Sequence, residues 1–184
     1  MRELILASQS PRRRELLAIA GFRFTVRSAS VEEVRAADES PVDYVRRLAQ
    51  AKAEAAWRHG DEIVLGADTT VVADDRVLEK PTDPGDARSM LRLLSGREHT
   101  VITGICLRHR DGAVVDHSAT TVHFALLTGS EIDEYVGSGE PMDKAGAYAI
   151  QGLASKFIER IDGCYFNVMG LPLSLVYRHW KALV

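Results

Sequence analysis

The chain has 184 residues, of which 46% are hydrophobic and 27% are charged, and its formal net charge is −3. This length and this balance are typical of a single globular domain with a buried core, and they exclude a disordered or fibrous chain. A net charge so close to zero provides no strong field for an anionic polymer or surface. We therefore expect neither nucleic acid nor a membrane as a partner.

The sequence shows no targeting or disulfide pattern. Its apolar runs are far shorter than the roughly 18 residues of a membrane span. The apolar run in the first residues, MRELILASQSPRRR, is also too short for the core of a signal peptide. A cytoplasmic protein is the expectation. Cys106 and Cys164 form no CxxC motif and the six histidines are scattered, so we expect two reduced thiols and no structural zinc site.

The N-terminal part of the chain alternates short apolar runs with helix signals. Ser10-Pro11 is a typical helix start and Gly21 a typical helix end. Ser40-Pro41 repeats the start signal, followed by apolar residues at helical spacing. In chain order these signals predict a strand at 3–7, a helix at 11–20, a strand at 22–28, a helix from 41 to Gly60 and a doubly buried strand at 63–73.

The C-terminal part contains a predicted hairpin. Asp111-Gly112 is a typical hairpin turn, and Thr128 with Glu131 forms a capping box. Because an antiparallel hairpin excludes a purely parallel sheet, the expected class is α/β with a mixed sheet. The predicted elements are a helix at 84–94, paired strands at 99–108 and 113–127, a helix from 128 to about 136, a functional loop at 137–152 and a helix from Pro172 to the C-terminus.

A candidate phosphate site lies where the first strand ends and the first helix begins. Backbone N–H groups and the helix dipole favour an anion at such a junction, and side-chain hydroxyls and guanidiniums add donors. The alternative is a capped helix with exposed arginines. The familiar phosphate loops GxxxxGK[ST] and GxGxxG are absent, so a nucleotide site here is of another kind. The candidate donors are Ser8, Ser10, Arg12 and Arg13.

Asp68 interrupts an apolar run in the sequence GADTT. A buried carboxylate costs roughly several kcal/mol unless it meets a cation, a metal or hydrogen-bond donors. Asp68 is therefore a candidate to hold a divalent metal or to polarise water. Glu32 and Glu33 are candidate further ligands, since hard cations such as Mg²⁺ prefer oxygen, although a solvated turn also explains this pair.

Two lysines add to the possible phosphate site. Lys52 lies among small residues of a predicted helix, and Lys80 precedes a proline. Each alone is typical of a surface lysine. Together with Arg12 and Arg13 they supply four positive charges, which suit a triphosphate of about four negative charges. The residues alone favour a metal-assisted phosphate site and leave the substrate open.

At these same residues the chain resembles the Maf family of nucleoside triphosphate pyrophosphatases. The resemblance implies an α/β fold with a mixed β-sheet and flanking helices, similar to the inosine triphosphatase (Maf/Ham1) fold, in one domain over 1–184 with two lobes and a substrate cleft between them. The motifs that carry it are LILASQSPRRRELL near the start, LAQAKA at 48–53, GADTTV at 66–71, EKP at 79–81, LSGREHTVITG at 94–104, EPMDKAGAYAIQG at 140–152 and GCYFNVMGLPL at 163–173. Glu79 departs from the family pattern, which has Gly there.

The resemblance also implies an activity, which is hydrolysis of a nucleoside triphosphate to the monophosphate and pyrophosphate with Mg²⁺ or Mn²⁺. Asp68 matches the catalytic proton acceptor, and Glu33 matches the acidic residue near the metal, so both are candidate metal ligands. The positions that match phosphate-handling residues are Ser8, Arg12, Arg13, Lys52 and Lys80.

Substrate choice is implied by three positions of the resemblance. Arg12, Thr69 and Gln151 match the selectors associated with dTTP and UTP, whereas a branch that acts on 7-methyl-GTP has Trp in place of Arg12. The expected role is nucleotide-pool house-cleaning, with modified pyrimidine nucleotides as further candidate substrates. The alternative is a nucleotide-binding regulator of septum formation without turnover. A homodimer is the expected assembly because symmetric pairs are the commonest oligomers.

Overall fold

The computed structural model describes residues 3–28, 30–58, 60 and 62–184. Strands and helices alternate as predicted. The strands are β1 (Glu3–Leu6), β2 (Phe24–Val26), β3 (Glu62–Ala73), β4 (Arg76–Leu78), β5 (Glu98–His109), β6 (Gly112–Phe124) and β7 (Ile158–Asp162). The helices are α1 (Pro11–Ile19), α2 (Pro41–Ala56), α3 (Pro84–Leu94), α4 (Gly129–Gly137), α5 (Tyr165–Val168) and α6 (Leu173–Leu183), with short 3₁₀ turns at Glu140–Asp143, Ala145–Ala147 and Leu153–Phe157.

The strands form one seven-stranded sheet. Six of them lie in the order β2-β1-β3-β5-β6-β7, and β4 pairs with β3. β1 is parallel to β2 and β3, whereas β4 is antiparallel to β3 and β7 is antiparallel to β6. The sheet is therefore mixed and flanked by helices, which confirms the predicted fold class.

The chain divides into two compact units. Unit 1 comprises Met1–Thr69, Thr103–Ser118 and Gly170–Val184, and unit 2 comprises Thr70–Ile102 and Ala119–Met169. β3, β5 and β6 each contribute residues to both units. The prediction of a single enzymatic domain stays a prediction.

In unit 1, helix α2 packs closely on two strands at glycines. A Cβ atom added to Gly66 of β3 would lie 2.1 Å from the carbonyl oxygen of Ala49. One added to Gly104 of β5 would lie 2.4 Å from the carbonyl oxygen of Val45. Since neither space holds even a methyl group, the two glycines set the distance between α2 and the sheet.

In unit 2, aromatic side chains form much of the core. The Tyr148 ring packs edge-on against Phe124 with a centroid distance of 4.8 Å, and the Tyr135 ring packs edge-on against Phe157 at 5.6 Å. The hydroxyl of Tyr148 lies 2.8 Å from Nε2 of the buried His99. These contacts place the segment after α4 against the sheet.

Side-chain hydrogen bonds cap three of the helices. The Ser40 and Asp83 side chains accept from the backbone N–H groups of Asp43 and Asp86, and Thr128 and Glu131 form the predicted capping box. Ser10 is the N-cap of α1, as the Ser10-Pro11 signal predicts, and its side chain makes no capping hydrogen bond.

Several element predictions differ from the structure. Helix α2 ends at Ala56 because Trp57 turns to an extended backbone, and His59 of the predicted extension lies outside the described residues. The hairpin turn comprises Arg110 and Asp111, one residue earlier than predicted. β4, β7 and α5, which are three, five and four residues long, were not predicted.

No helix in the described ranges combines the length and the low polarity needed to cross a membrane. Cys106 and Cys164 are both free thiols, as expected. Burial raises the pKa of the Cys106 thiol to about 12, so this thiol stays protonated.

We expect Gly66→Ala to destabilise the protein by about 1–3 kcal/mol, because the added methyl group overlaps the α2 backbone. Urea unfolding measures the change. Gly129→Ala is the matched control, since a Cβ atom there meets nothing within 4 Å. An unaltered unfolding free energy in the first variant would contradict the close packing of α2.

Candidate functional site

The centre of the site is Asp68, which lies on β3 in unit 1 with 8% of its surface exposed. Nζ of Lys52 donates a hydrogen bond of 2.6 Å to Oδ1 of this carboxylate. Burial raises the pKa of Asp68 above its ordinary value, although the positive charges of Lys52 and Arg13 oppose the shift. Desolvation therefore outweighs the attraction of two cations, and Asp68 accepts a proton more readily than an exposed aspartate.

Lys52 links Asp68 to a second carboxylate. Its Nζ lies 2.6 Å from Oε1 of Glu33 as well as 2.6 Å from Oδ1 of Asp68. The side chain of Lys52 reaches both because α2 lies directly over Gly66, two residues before Asp68 on the same strand. One ammonium group thus holds two carboxylates, which matches the expectation that Asp68 meets a cation.

Helix α2 also fixes the irregular segment that carries Glu33. The Tyr44 hydroxyl donates to the carbonyl oxygen of Glu33 at 3.1 Å. Arg47 donates to the carbonyl oxygen of Val34 at 2.9 Å and pairs with Glu39. These bonds hold a stretch without regular secondary structure against a rigid helix.

Arg13 lies on α1, and its guanidinium is largely committed to protein oxygens. Nε donates to the Gly170 carbonyl at 2.8 Å, Nη1 donates to the Ala67 carbonyl at 2.9 Å and to Ser8 Oγ at 3.3 Å, and Nη2 donates to Thr69 Oγ1 at 3.0 Å. A guanidinium has five N–H donors, and these bonds use four of them. Burial lowers the pKa of Arg13 from its very high ordinary value, with Asp68 opposing the shift.

Ser8 is buried at the end of β1, next to this guanidinium. Its Oγ accepts from Arg13 Nη1 and from the backbone N–H of Ser10 at 3.2 Å. Both bonds use lone pairs, and the hydroxyl proton is donated to nothing in the described part of the chain. Ser8 therefore keeps a donor for an anionic ligand. Arg12 is half-buried one position before Arg13.

Thr69 is tied to two residues that the sequence analysis missed. Its Oγ1 lies 2.9 Å from Oγ1 of Thr103 on β5 and 3.5 Å from the carbonyl oxygen of Gly170. Thr103 is fully buried, so it is a polar side chain inside an apolar strand, the same signal that singles out Asp68. No sequence signal marks the Gly170 carbonyl as a partner.

The structure brings six of the predicted residues into two connected sets in unit 1. Lys52 joins Asp68 and Glu33, and Arg13 joins Ser8 and Thr69. Lys80 and Gln151 belong to unit 2, and both are exposed.

The donor set at Asp68 is compatible with a hard divalent cation. No group of three or more His, Cys, Asp and Glu side chains in the described ranges is arranged to hold a metal. Mg²⁺, however, commonly takes one or two protein carboxylates and fills its shell with water and phosphate oxygens. Oδ2 of Asp68 accepts no hydrogen bond from the described residues. Asp68 and Glu33 therefore fit a cation whose other ligands come from a bound phosphate.

Comparison with protein families and known proteins gives a consistent result. The family model described as "Maf-like protein" matches residues 3–183. A dTTP/UTP pyrophosphatase of Koribacter versatilis is 52% identical over 176 residues, covering 95% of this chain and 91% of that protein. A dTTP/UTP pyrophosphatase of Bacillus cereus (strain AH820) is 49% identical over 182 residues, covering 98% and 95%.

A solved structure supports the fold. The Staphylococcus aureus Ham1 protein matches with a TM-score of 0.57 and 14% sequence identity, covering 98% of this chain and 99% of that one. At this identity the likeness concerns the fold alone. The predicted similarity to the inosine triphosphatase (Maf/Ham1) fold is confirmed.

We expect Asp68→Asn to change how stability depends on pH. Because the pKa of Asp68 is raised in the folded state, the folded wild type binds more protons than the unfolded chain between the ordinary and the raised pKa. The free energy of unfolding of the wild type therefore falls as the pH rises from the ordinary to the raised pKa. The variant has no titrating group at this position and does not show this fall. Between the ordinary and the raised pKa, the variant should therefore gain stability relative to the wild type as the pH rises, measured by urea unfolding at a series of pH values. A difference that is constant or falls with pH would contradict the raised pKa.

Proposed function

The chain belongs to the Maf family, and from this premise we propose that it is a nucleoside triphosphate pyrophosphatase. Its substrates are dTTP and UTP, which it hydrolyses to the monophosphate and pyrophosphate. The two relatives described above, which carry this activity in their names, support the substrate class. The buried Asp68 carboxylate, held by Lys52 and raised in pKa, is the observation that carries the chemistry.

Asp68 is the proposed general base. Hydrolysis requires a water molecule to attack a phosphoryl group in line with the leaving pyrophosphate, and a carboxylate accepts the proton or aligns the water. A base works best when its pKa lies near the operating pH, and burial moves the pKa of Asp68 in that direction. Among the described residues Lys52 binds Oδ1, which leaves the lone pairs of Oδ2 for the proton of the attacking water or for the metal.

The cationic and hydroxyl groups have different proposed roles at the triphosphate. Ser8 donates its hydroxyl proton to a phosphate oxygen, and Arg12 and Lys80 add positive charge. Arg13 has four donors engaged with the protein, so it contributes mainly by holding Ser8 and Thr69 and by its charge. Lys52 offsets part of the negative charge of Asp68 and Glu33 and adds positive charge close to the charge that develops on the phosphate.

Glu33 and Asp68 are the residues that would hold the divalent metal, Mg²⁺ or Mn²⁺. When bound, such an ion supplies positive charge to the triphosphate oxygens. Lys52 lies against both carboxylates, which offsets their mutual repulsion. The metal site remains a proposal.

Base choice is assigned to Arg12, Thr69 and Gln151. The Gln151 amide has both donors and an acceptor, which suits the edge of a pyrimidine. The hydroxyl of Thr69 is engaged with Arg13, Thr103 and Gly170, so Thr69 has a fixed rotamer. The proposed role is removal of surplus pyrimidine triphosphates, including modified ones, from the nucleotide pool. The homodimer and the cytoplasmic location stay predictions.

The first test is hydrolysis of a panel of nucleoside triphosphates, including UTP, dTTP, CTP, GTP and 7-methyl-GTP, with Mg²⁺. We expect release of pyrophosphate from UTP and dTTP, and a loss of about 10²–10⁴-fold in kcat for Asp68→Asn, since the base is removed. Asp75→Asn is the matched control, because Asp75 is exposed in a turn at a positive φ that asparagine tolerates. Near-normal turnover by Asp68→Asn would contradict the assigned base. Nucleotide binding without turnover by the wild type would favour the regulator instead.

The second test concerns the metal. We expect Glu33→Gln to raise the Mg²⁺ concentration needed for half-maximal activity by about tenfold or more, because a charged ligand is lost. Glu32→Gln removes the same charge from the neighbouring exposed position and should leave this concentration unchanged. A Glu33→Gln variant with the same Mg²⁺ dependence as the unaltered chain would show that Glu33 is not a ligand.

A further inference from the structure

A buried tyrosine and a glutamate in unit 2 form a hydrogen-bonded pair that the proposed chemistry does not use. The Tyr135 hydroxyl, at the end of α4, donates to Oε1 of Glu140 at 2.8 Å. Tyr135 has 3% of its surface exposed, and burial raises its pKa well above the ordinary value. The phenol therefore stays protonated and always has a hydrogen to donate to Glu140.

This pair holds the chain on both sides of Gln151. On one side, the backbone N–H of Ala149 donates to the Tyr135 hydroxyl at 3.2 Å. On the other side, the backbone N–H of Leu153 donates to Oε1 and Oε2 of Glu140 at 3.0 and 3.2 Å. The residue two positions before Gln151 is thus bonded to the phenol, and the residue two positions after it is bonded to the carboxylate that accepts from this phenol.

The turn from Ala149 to Gly152 packs tightly against the Glu140 carboxylate. The N–H of Gly152 donates to the carbonyl oxygen of Ala149 at 3.0 Å, which closes a tight turn around Gln151. A Cβ atom on Gly152 would lie 2.4 Å from Oε2 of Glu140. The Glu140 carboxylate therefore packs directly against the backbone next to Gln151, and only glycine allows this approach.

The backbone of Glu140 is also held in place. Its carbonyl oxygen accepts from Nζ of Lys144 at 2.9 Å, and its N–H donates to the Ser138 hydroxyl at 3.3 Å. The carboxylate, the phenol and the turn therefore form one connected network. Gln151 is the exposed residue at its centre, flanked by the buried Ile150.

The position of the Gln151 side chain determines which base it can recognise, because its amide has both a hydrogen-bond donor and an acceptor. Uracil and cytosine differ by exchange of a carbonyl for an amino group on the same edge, so an amide free to shift or turn over can satisfy both bases. Discrimination between them requires that the amide be held in one place. A hydrogen-bonded backbone on both sides of the residue provides such a constraint.

We propose that Glu140, together with Tyr135, is a positioning residue that sets base selectivity by fixing the turn that carries Gln151. Glu140 acts through Gln151 and does not itself touch the nucleotide. This inference rests on the proposed function, because it assumes that Gln151 reads a pyrimidine.

Two ratios are measured. Titration calorimetry on the Asp68→Asn protein gives the Kd for CTP divided by the Kd for UTP. Steady-state kinetics on protein with Asp68 intact gives kcat/KM for UTP divided by kcat/KM for CTP. Glu140→Gln should lower the CTP-to-UTP ratio of Kd and the UTP-to-CTP ratio of kcat/KM by about fivefold or more. The amide NH2 group that replaces Oε2 meets the Leu153 N–H as a second donor, and the negative charge that both bonds use is lost. Glu134→Gln, an exposed change on α4 next to Tyr135, is the control and should leave both ratios unaltered.

A double-mutant cycle separates positioning from a general structural effect. With Gln151→Ala already present, Glu140→Gln should change neither ratio by more than about twofold, because its effect passes through Gln151. Gly152→Ala provides a second, independent variant that displaces the Glu140 carboxylate while its own backbone angles remain accessible. It should reproduce the loss of selectivity, and thermal unfolding shows that each variant is folded.

The outcomes distinguish the inference from the proposed function. Wild-type turnover with unchanged ratios in folded Glu140→Gln, or in Gly152→Ala if the first variant does not fold, overturns the inference alone. An equal loss with and without Gln151 also overturns it. Absence of turnover with a Kd ratio that still falls contradicts the proposed function and supports the positioning role. Absence of any preference for UTP over CTP in the unaltered chain overturns both.

Discussion

A carboxylate buried inside a hydrophobic strand is the constraint on which this site depends. Asp68 loses its hydration on folding, and an unpaired charge in that environment is too costly to persist. Lys52 offsets the cost at 2.6 Å, and it reaches the carboxylate because Gly66 and Gly104 let α2 approach the sheet without a side chain between them. The contact between Lys52 and Asp68 therefore depends on both glycines, because a side chain at either position would displace α2 and with it the Lys52 ammonium group.

The same interaction gives the site its proposed reactivity. Burial raises the pKa of Asp68 even with Lys52 and Arg13 nearby, so the carboxylate accepts a proton more readily than an exposed one. The same burial of a charge lowers the stability of the fold. Lys52 also binds Glu33, which places a second carboxylate on the same ammonium group. The site thus holds one ammonium group between two carboxylates.

Local signals predicted much of the fold, because caps, glycines and apolar periodicity act over a few residues. The Ser40 cap and the Thr128 capping box formed as expected, and Asp68 was identified because a charge in an apolar run is locally visible. The contacts of Thr69 with Gly170 and of Glu140 with Leu153 could not be predicted. These contacts join residues that are 101 and 13 positions apart. In each contact one partner is a backbone atom, which every residue has, so the sequence does not mark it.

The central claim is cleavage of a pyrimidine nucleoside triphosphate between its α- and β-phosphates. The most direct measurement is ³¹P NMR of the products formed from UTP and dTTP with Mg²⁺. We expect the monophosphate and pyrophosphate to appear in equal amounts, with no nucleoside diphosphate at any time. Nucleoside diphosphate with orthophosphate, or no product at all, would contradict the assignment.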